Sequence, residues 1–102
     1  MVALTSMAAA QTLSGGGFRS GDDILVVCTG KNIPHCTGYL MGIADAMDAN
    51  PINGYRACIP QGVIGGQLQG VVVEYLTRNA ALRHQAAAGL VAEAYEQGFP
   101  CR

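Results

Sequence analysis

Four cysteines in a chain of 102 residues constrain this sequence more than any other feature. An even count in so short a chain points to two disulfides and an oxidising compartment. The positions are Cys28, Cys36, Cys58 and Cys101. Zinc sites usually present paired cysteines or histidines about two to four residues apart, and this chain has no such pair. His35 and Cys36 are adjacent and cannot both reach one ion comfortably. A nucleophilic thiol must be free, of low pKa and beside a base, and two disulfides leave none. The expected metal and cofactor content is therefore none.

Bridges matter here because the core is thin. Half the residues are apolar, but 15 are Ala and 14 are Gly, which bury little area each. Charged side chains make up 13%, about half the usual share of ~25%. The net charge of −1 lacks the basic surface that nucleic-acid binding needs, so no nucleic-acid partner is expected. No apolar run reaches the ~18 residues of a membrane span. A lightly charged surface on a small domain leaves apolar area for a partner or a second copy to cover.

Residues 1–17 carry no periodic pattern and end in a run of Gly, so they are expected to be flexible. Residues 1–10 finish in three Ala before a polar residue, which resembles the cleavage end of a secretory signal peptide. An ordinary Ala-rich N-terminus is the plainer alternative. With a signal peptide and a bacterial source, the compartment is the periplasm. Residues 18–102 are expected to form one domain.

Four helices can be read in that domain. Ser20 and Asp23 have capping-box spacing, and Ile24, Val27 and Cys28 then share a face until about Thr29-Gly30. The β-branched run could also form a strand, but no second strand exists to pair with it. Residues 31–34 read as a loop. Cys36, Tyr39, Leu40, Ile43 and Met47 follow helical spacing to about Asp48. Residues 50–54 are turn chemistry, and a loop continues to Pro60. Leu68, Val71, Val72, Tyr75 and Leu76 form the clearest stripe, and Ala87, Leu90, Val91, Ala94 and Tyr95 repeat it. Gly98 has the position of a left-handed C′ glycine, with Phe99 packing back and Pro100 blocking continuation. The fold class is all-α, a small four-helix bundle stapled by disulfides.

In such a bundle Cys28 and Cys36 lie across a short loop, at one end. Cys58 before the third helix and Cys101 after the fourth are expected at the opposite end. The economical pairing is Cys28–Cys36 with Cys58–Cys101, one of three possible connectivities. Gly38 and Gly42 on the second helix, and Gly66 and Gly70 on the third, are spaced four apart. Interior glycines cost ~1 kcal/mol each, so close helix packing at these faces is expected, within one chain or across a dimer. The run at 62–67 lacks the Lys and the preceding strand of a phosphate loop.

Catalytic groups do not assemble. The serines at 6, 14 and 20 lie in the N-terminal segment or cap a helix, which leaves none for a triad. The Asp45/Asp48 and Glu93/Glu96 pairs each lie on one helix surface rather than across a cleft, and read as solvated faces. Arg83-His84 reads as a loop or capping pair. Tyr55 and Arg56, in the long loop, are candidate exposed contacts. No enzyme is expected.

Several segments together resemble a known group. Residues 20–28 read Ser-Gly-Asp-Asp-Ile-Leu-Val-Val-Cys, and residues 36–45 read Cys-Thr-Gly-Tyr-Leu-Met-Gly-Ile-Ala-Asp. Residues 58–62 read Cys-Ile-Pro-Gln-Gly before a helix ending Val-Val-Val-Glu-Tyr-Leu. Arg83-His84 precedes an Ala-rich helix, and Phe99-Pro100-Cys101 closes the chain. In order and in cysteine content this is similar to the Rap/Tai immunity proteins of bacterial type VI secretion systems. The resemblance implies an all-helical, periplasmic, disulfide-containing protein, commonly a homodimer. Relatives bind and block a peptidoglycan-cleaving amidase delivered by neighbouring cells, by occluding its active site. Gly65-Gly66 departs from the polar helix start of that group. The toxin-contacting loops would be 29–35 and 50–57, with Lys31, Tyr55 and Arg56 as contacts. The alternative is a structural or chaperone-like periplasmic module that shares the fold without a toxin partner.

Overall fold

The first helix among the described residues starts at Ser20. Its hydroxyl accepts from the Asp23 N–H at 3.1 Å, and the Asp23 carboxylate accepts from the Ser20 N–H at 3.0 Å. Both bonds satisfy donors that a helix start leaves orphaned. In the computed structural model, which describes residues 18–102, α1 (Gly21–Thr29) follows and buries Gly21, Ile24 and Cys28. The flexible start and signal-peptide remnant expected at 1–17 lie outside the described residues.

α2 (Ile33–Ala49) starts one residue before Pro34 rather than after it. The Asn32 side chain caps it by accepting from the His35 N–H at 3.3 Å, and a proline in the first turn removes no helical bond. α3 (Gly65–Arg78) has no polar cap residue, and Gln67 Oε1 instead accepts from the Ile64 N–H at 2.9 Å. At its other end the Asn79 side chain donates to the Tyr75 carbonyl at 2.8 Å. A single 3₁₀ turn (Ala80–Leu82) leads towards α4 (Ala87–Gly98). That helix has no capping side chain. The Ala87 N–H donates to the Arg19 carbonyl at 2.8 Å, while the Gly21 and Asp22 N–H groups donate to Gln85 and Arg83 carbonyls at 3.0 and 2.9 Å. The starts of α1 and α4 thus share their backbone bonds.

The four helices close around Leu40, Val72, Leu76, Val91 and Tyr95, all fully buried. Tyr95 ties α4 to α2, its hydroxyl donating to the Leu40 carbonyl at 2.6 Å. The described residues hold no strand, only two isolated bridges.

Both expected disulfides are present, Cys28–Cys36 and Cys58–Cys101. Their expected placement at opposite ends is not what the chain does. Gly65 at the start of α3 lies against Thr37 and Met41 in the first half of α2, and the Gln69 amide donates to the Cys28 carbonyl at 2.7 Å. Gly98 at the end of α4 lies against Val71 in α3. The connection between α2 and α3 therefore runs back along the bundle, α3 starts beside the start of α2, and both bridges lie towards the same end.

Of the two packings expected for the glycines, the one within the chain is not made. A Cβ added at Gly38, Gly42, Gly66 or Gly70 meets nothing within 4 Å, so these four do not bring helices together within the chain. The α2–α3 contact instead falls one residue away, at Gly65 against Thr37 and Met41. One residue is about 100° around a helix, so an adjacent position faces elsewhere. Gly98 is the last residue of α4, not a left-handed residue past it. It is required because a Cβ there would stand 2.8 Å from Val71 Cγ1. Phe99 does pack back, its ring centroid 6.3 Å from that of Tyr95.

Gly21 is held against both a side chain and backbone: an added Cβ would lie 2.5 Å from Leu90 Cδ1 and 3.0 Å from the Arg83 carbonyl oxygen. Gly21→Ala is expected to destabilise by ~1–3 kcal/mol through overpacking. Gly42→Ala, in open space mid-helix, is expected to stabilise by ~0.5–1 kcal/mol. Urea unfolding followed by circular dichroism checks both signs; equal midpoints for the two variants would contradict this packing.

Candidate partner interface

Fifteen residues, 50–64, connect α2 to α3 without regular structure. Connections this long, beyond ~12–15 residues, are uncommon in small domains and are often functional. This one is tied down. Ile52 and Tyr55 exchange backbone hydrogen bonds at 3.2 and 2.8 Å around Asn53 and Gly54. Those two residues have φ of 51° and 82°, the left-handed pair that a tight hairpin turn requires. The tip is exposed.

Beyond the tip the chain follows α4. The Asn53 amide lies over Gly89, where an added Cβ would meet it at 2.5 Å. The Arg56 N–H donates to Glu96 Oε2 at 3.0 Å, and the Cys58 N–H donates to the Phe99 carbonyl at 2.8 Å. The Cys58–Cys101 bridge fastens the end of this run.

Glu93 stands at the centre. Tyr75 donates its hydroxyl to Glu93 Oε1 at 2.7 Å, and burial together with that bond raises the Tyr75 pKa well above the ordinary value. The same carboxylate raises Tyr55, chiefly through its charge. Glu93 and Glu96 are therefore not solvated faces as their spacing suggested; both are half-buried and engaged with residues some 18 to 40 positions away. Burial alone raises Tyr95, and burial raises Tyr39 against the opposing charge of Arg19.

Of the three expected contact residues, Lys31 is exposed in the bend between α1 and α2, and Arg56 is exposed on the α4 side. Tyr55 is half-buried with its hydroxyl committed to the Glu93 neighbourhood. No hydrogen bond or ion pair among the described residues joins Lys31 to Tyr55 or Arg56. Arg83 is a capping residue, donating to the Leu76 carbonyl at 3.3 Å and to Asp22 Oδ1 at 3.1 Å. His84 is exposed in the turn beside it. All four sulfurs are consumed in disulfides.

A groove of about 420 Å³ opens between α2 and the second half of the connection, lined by Met41, Ala44, Asp45, Asp48, Ile59, Val63 and Leu68. Residues 57–64 show no periodicity that would mark this groove; the spacing of Ile59, Val63 and Ile64 in a nominal loop is the signal the sequence carries for it.

Residues 20–101 match the family model of the Rap1a immunity proteins. The chain belongs to that family. No curated protein and no solved structure matches it. The match spans the capping box of α1, both bridges and the whole tied connection. The resemblance read from the motifs at 20–28, 36–45 and 58–62 thus points to the same group. A Rap1a immunity protein has a protein toxin effector as its partner, so the exposed surfaces of this fold are where recognition must be sought.

Two measurements check the tie. Cys58→Ala with Cys101→Ala opens a bridge of sequence separation 43, and the chain-entropy relation puts the loss at ~4 kcal/mol. Amide exchange at Arg56 and Cys58 is expected to accelerate more than exchange within α2, and uniform acceleration would count against a localised tie. The second measurement concerns pH. An unfolded tyrosine ionises near pH 10, whereas these four hold their protons longer in the fold. Above about pH 10 the unfolded chain binds fewer protons than the folded one, so stability falls as pH rises and is unaffected below. Tyrosinate absorbance is expected to appear together with loss of helical circular dichroism; ionisation of all four near pH 10 with helices intact would be the contrary result.

Proposed function

We propose that this immunity protein works in the periplasm, binding a peptidoglycan-cleaving amidase of a type VI secretion system and occluding its active site. The observation that carries the reading is the hairpin at 52–55: its Asn53-Gly54 tip is exposed and in a fixed conformation, and it is tied to α4 on the side that leads to Cys58. A segment ordered before binding loses little conformational entropy on entering a cleft, and that saving is affinity. Two disulfides support an oxidising compartment.

Arg56 follows the tip and presents its side chain to the partner. Tyr55 contributes the outer part of its ring, since its hydroxyl is held near Glu93. Lys31 forms a second, separate contact at the α1–α2 bend. The open faces at Gly38 and Gly42, and at Gly66 and Gly70, leave room for a second copy to approach closely, which is the homodimer reading of those glycines.

The test uses the purified chain and secreted peptidoglycan amidases of type VI secretion systems. Wild-type protein is expected to bind one of them and to stop cleavage of peptidoglycan. Arg56→Glu is expected to weaken binding at least tenfold, about 1.4 kcal/mol, with an unchanged melting temperature. Full inhibition by Arg56→Glu would remove the tip from the interface. Failure of the wild-type protein to inhibit any amidase would sink the functional reading and favour a structural module.

A further inference from the structure

We propose that the groove between α2 and residues 59–64 is a docking surface for a partner segment bearing an apolar side chain beside a lysine or arginine. The proposal rests on the immunity reading only in taking the partner to be the toxin effector; the chemistry of the groove stands apart from it.

The floor is apolar. Ala44, Ile59, Val63 and Leu68 line a space of about 420 Å³, within the ~300–1,000 Å³ range typical of ligand pockets. At its edge Met41 is 45% exposed, and Ile64, next to Val63 in the chain, is 65% exposed, where few large apolar side chains are exposed among the described residues. Methionine is a frequent element of binding surfaces because its thioether adapts to what it meets.

The rim is negative and lacks a counter-charge. Seven carboxylates occur in the chain, and all lie among the described residues. Asp22 pairs with Arg83, Asp23 caps α1, Glu74 pairs with Arg78, Glu93 holds Tyr75, and Glu96 holds the Arg56 amide. Asp45 and Asp48 alone bond to nothing among the described residues, and both line this groove. They occupy the last two turns of α2, the negative end of the helix dipole, where no basic residue stands in the last turn. All six Lys and Arg side chains are also among the described residues, and none is paired with them. A cation from a partner would relieve like-charge repulsion and the unfavourable dipole together, while its apolar neighbour covers Met41, Ile59 and Val63.

The probe is a synthetic twelve-residue helical peptide carrying Leu and Arg one turn apart, titrated into the full chain and followed by amide chemical shifts. The shifts are expected to concentrate at residues 41–48 and 59–64. Replacing Arg by Glu in the peptide, or using Asp45→Lys with Asp48→Lys in the protein, is expected to weaken binding at least tenfold, and added salt to weaken it further. Met41→Glu, on an exposed edge, tests the apolar half with the same expected loss. No binding, binding indifferent to peptide charge, or shifts centred elsewhere would each overturn the proposal. So would a dimer of the chain that covers these amides and leaves no room for the peptide. No amidase enters this titration, so the groove can fail while amidase inhibition survives, and inhibition can fail while the peptide still docks.

Discussion

A fifteen-residue connection cannot hold its own path, and most of what is distinctive here depends on how this one is held. Residues 50–58 have no ladder of backbone bonds to an adjoining strand. They are tied instead at separate points along α4: Asn53 over Gly89, Tyr55 near Glu93, the Arg56 amide on Glu96, and Cys58 on both the Phe99 carbonyl and Cys101. Each tie is modest, about a hydrogen bond's worth of net stability, apart from the bridge. Acting on one short segment, together they leave it little freedom. The path they impose brings α3 back beside the start of α2, gives the bundle its order, and creates both the exposed tip and the wall of the groove.

The two disulfides differ in their surroundings. Cys28 and Cys36 are buried in the core and pack as small hydrophobes against Ile24 and Leu40. Cys58 and Cys101 are exposed and tie a segment down from outside. The first serves a core short of large side chains. The second serves a surface, because it lies between the hairpin tip and the groove wall and orders both.

What the sequence disclosed follows a physical division. The four helices were legible because each carries a stripe such as Leu68-Val72-Tyr75-Leu76, and because Ser20 and Asp23 mark a start with chemistry that works over three residues. The cysteine pairing was legible although the geometry behind it was not. Nothing local in residues 50–64 says that they run back along the bundle; that follows from bonds such as Arg56 to Glu96, 40 residues apart. The same distance hid Glu93, whose role depends on Tyr75 and Tyr55 arriving from two other elements. Within the chain the glycine spacing did not locate the contact, because a four-residue spacing identifies a face without saying what lies opposite. Gly65, adjacent to Gly66, makes the contact that was assigned to its neighbour.

The scarcity of charge bears on how such a surface recognises a partner. With 13% charged residues and a net charge of −1, the chain has little long-range field with which to steer an encounter. Most of its carboxylates are already engaged in holding helix ends and the connection in place. Association must then draw on fit and on burial of apolar area, and a well-fitting rigid surface acts mainly by slowing dissociation. The exposed Asn53-Gly54 turn, fixed in a left-handed conformation and braced from behind by α4, is the kind of element that can do so without any charge of its own.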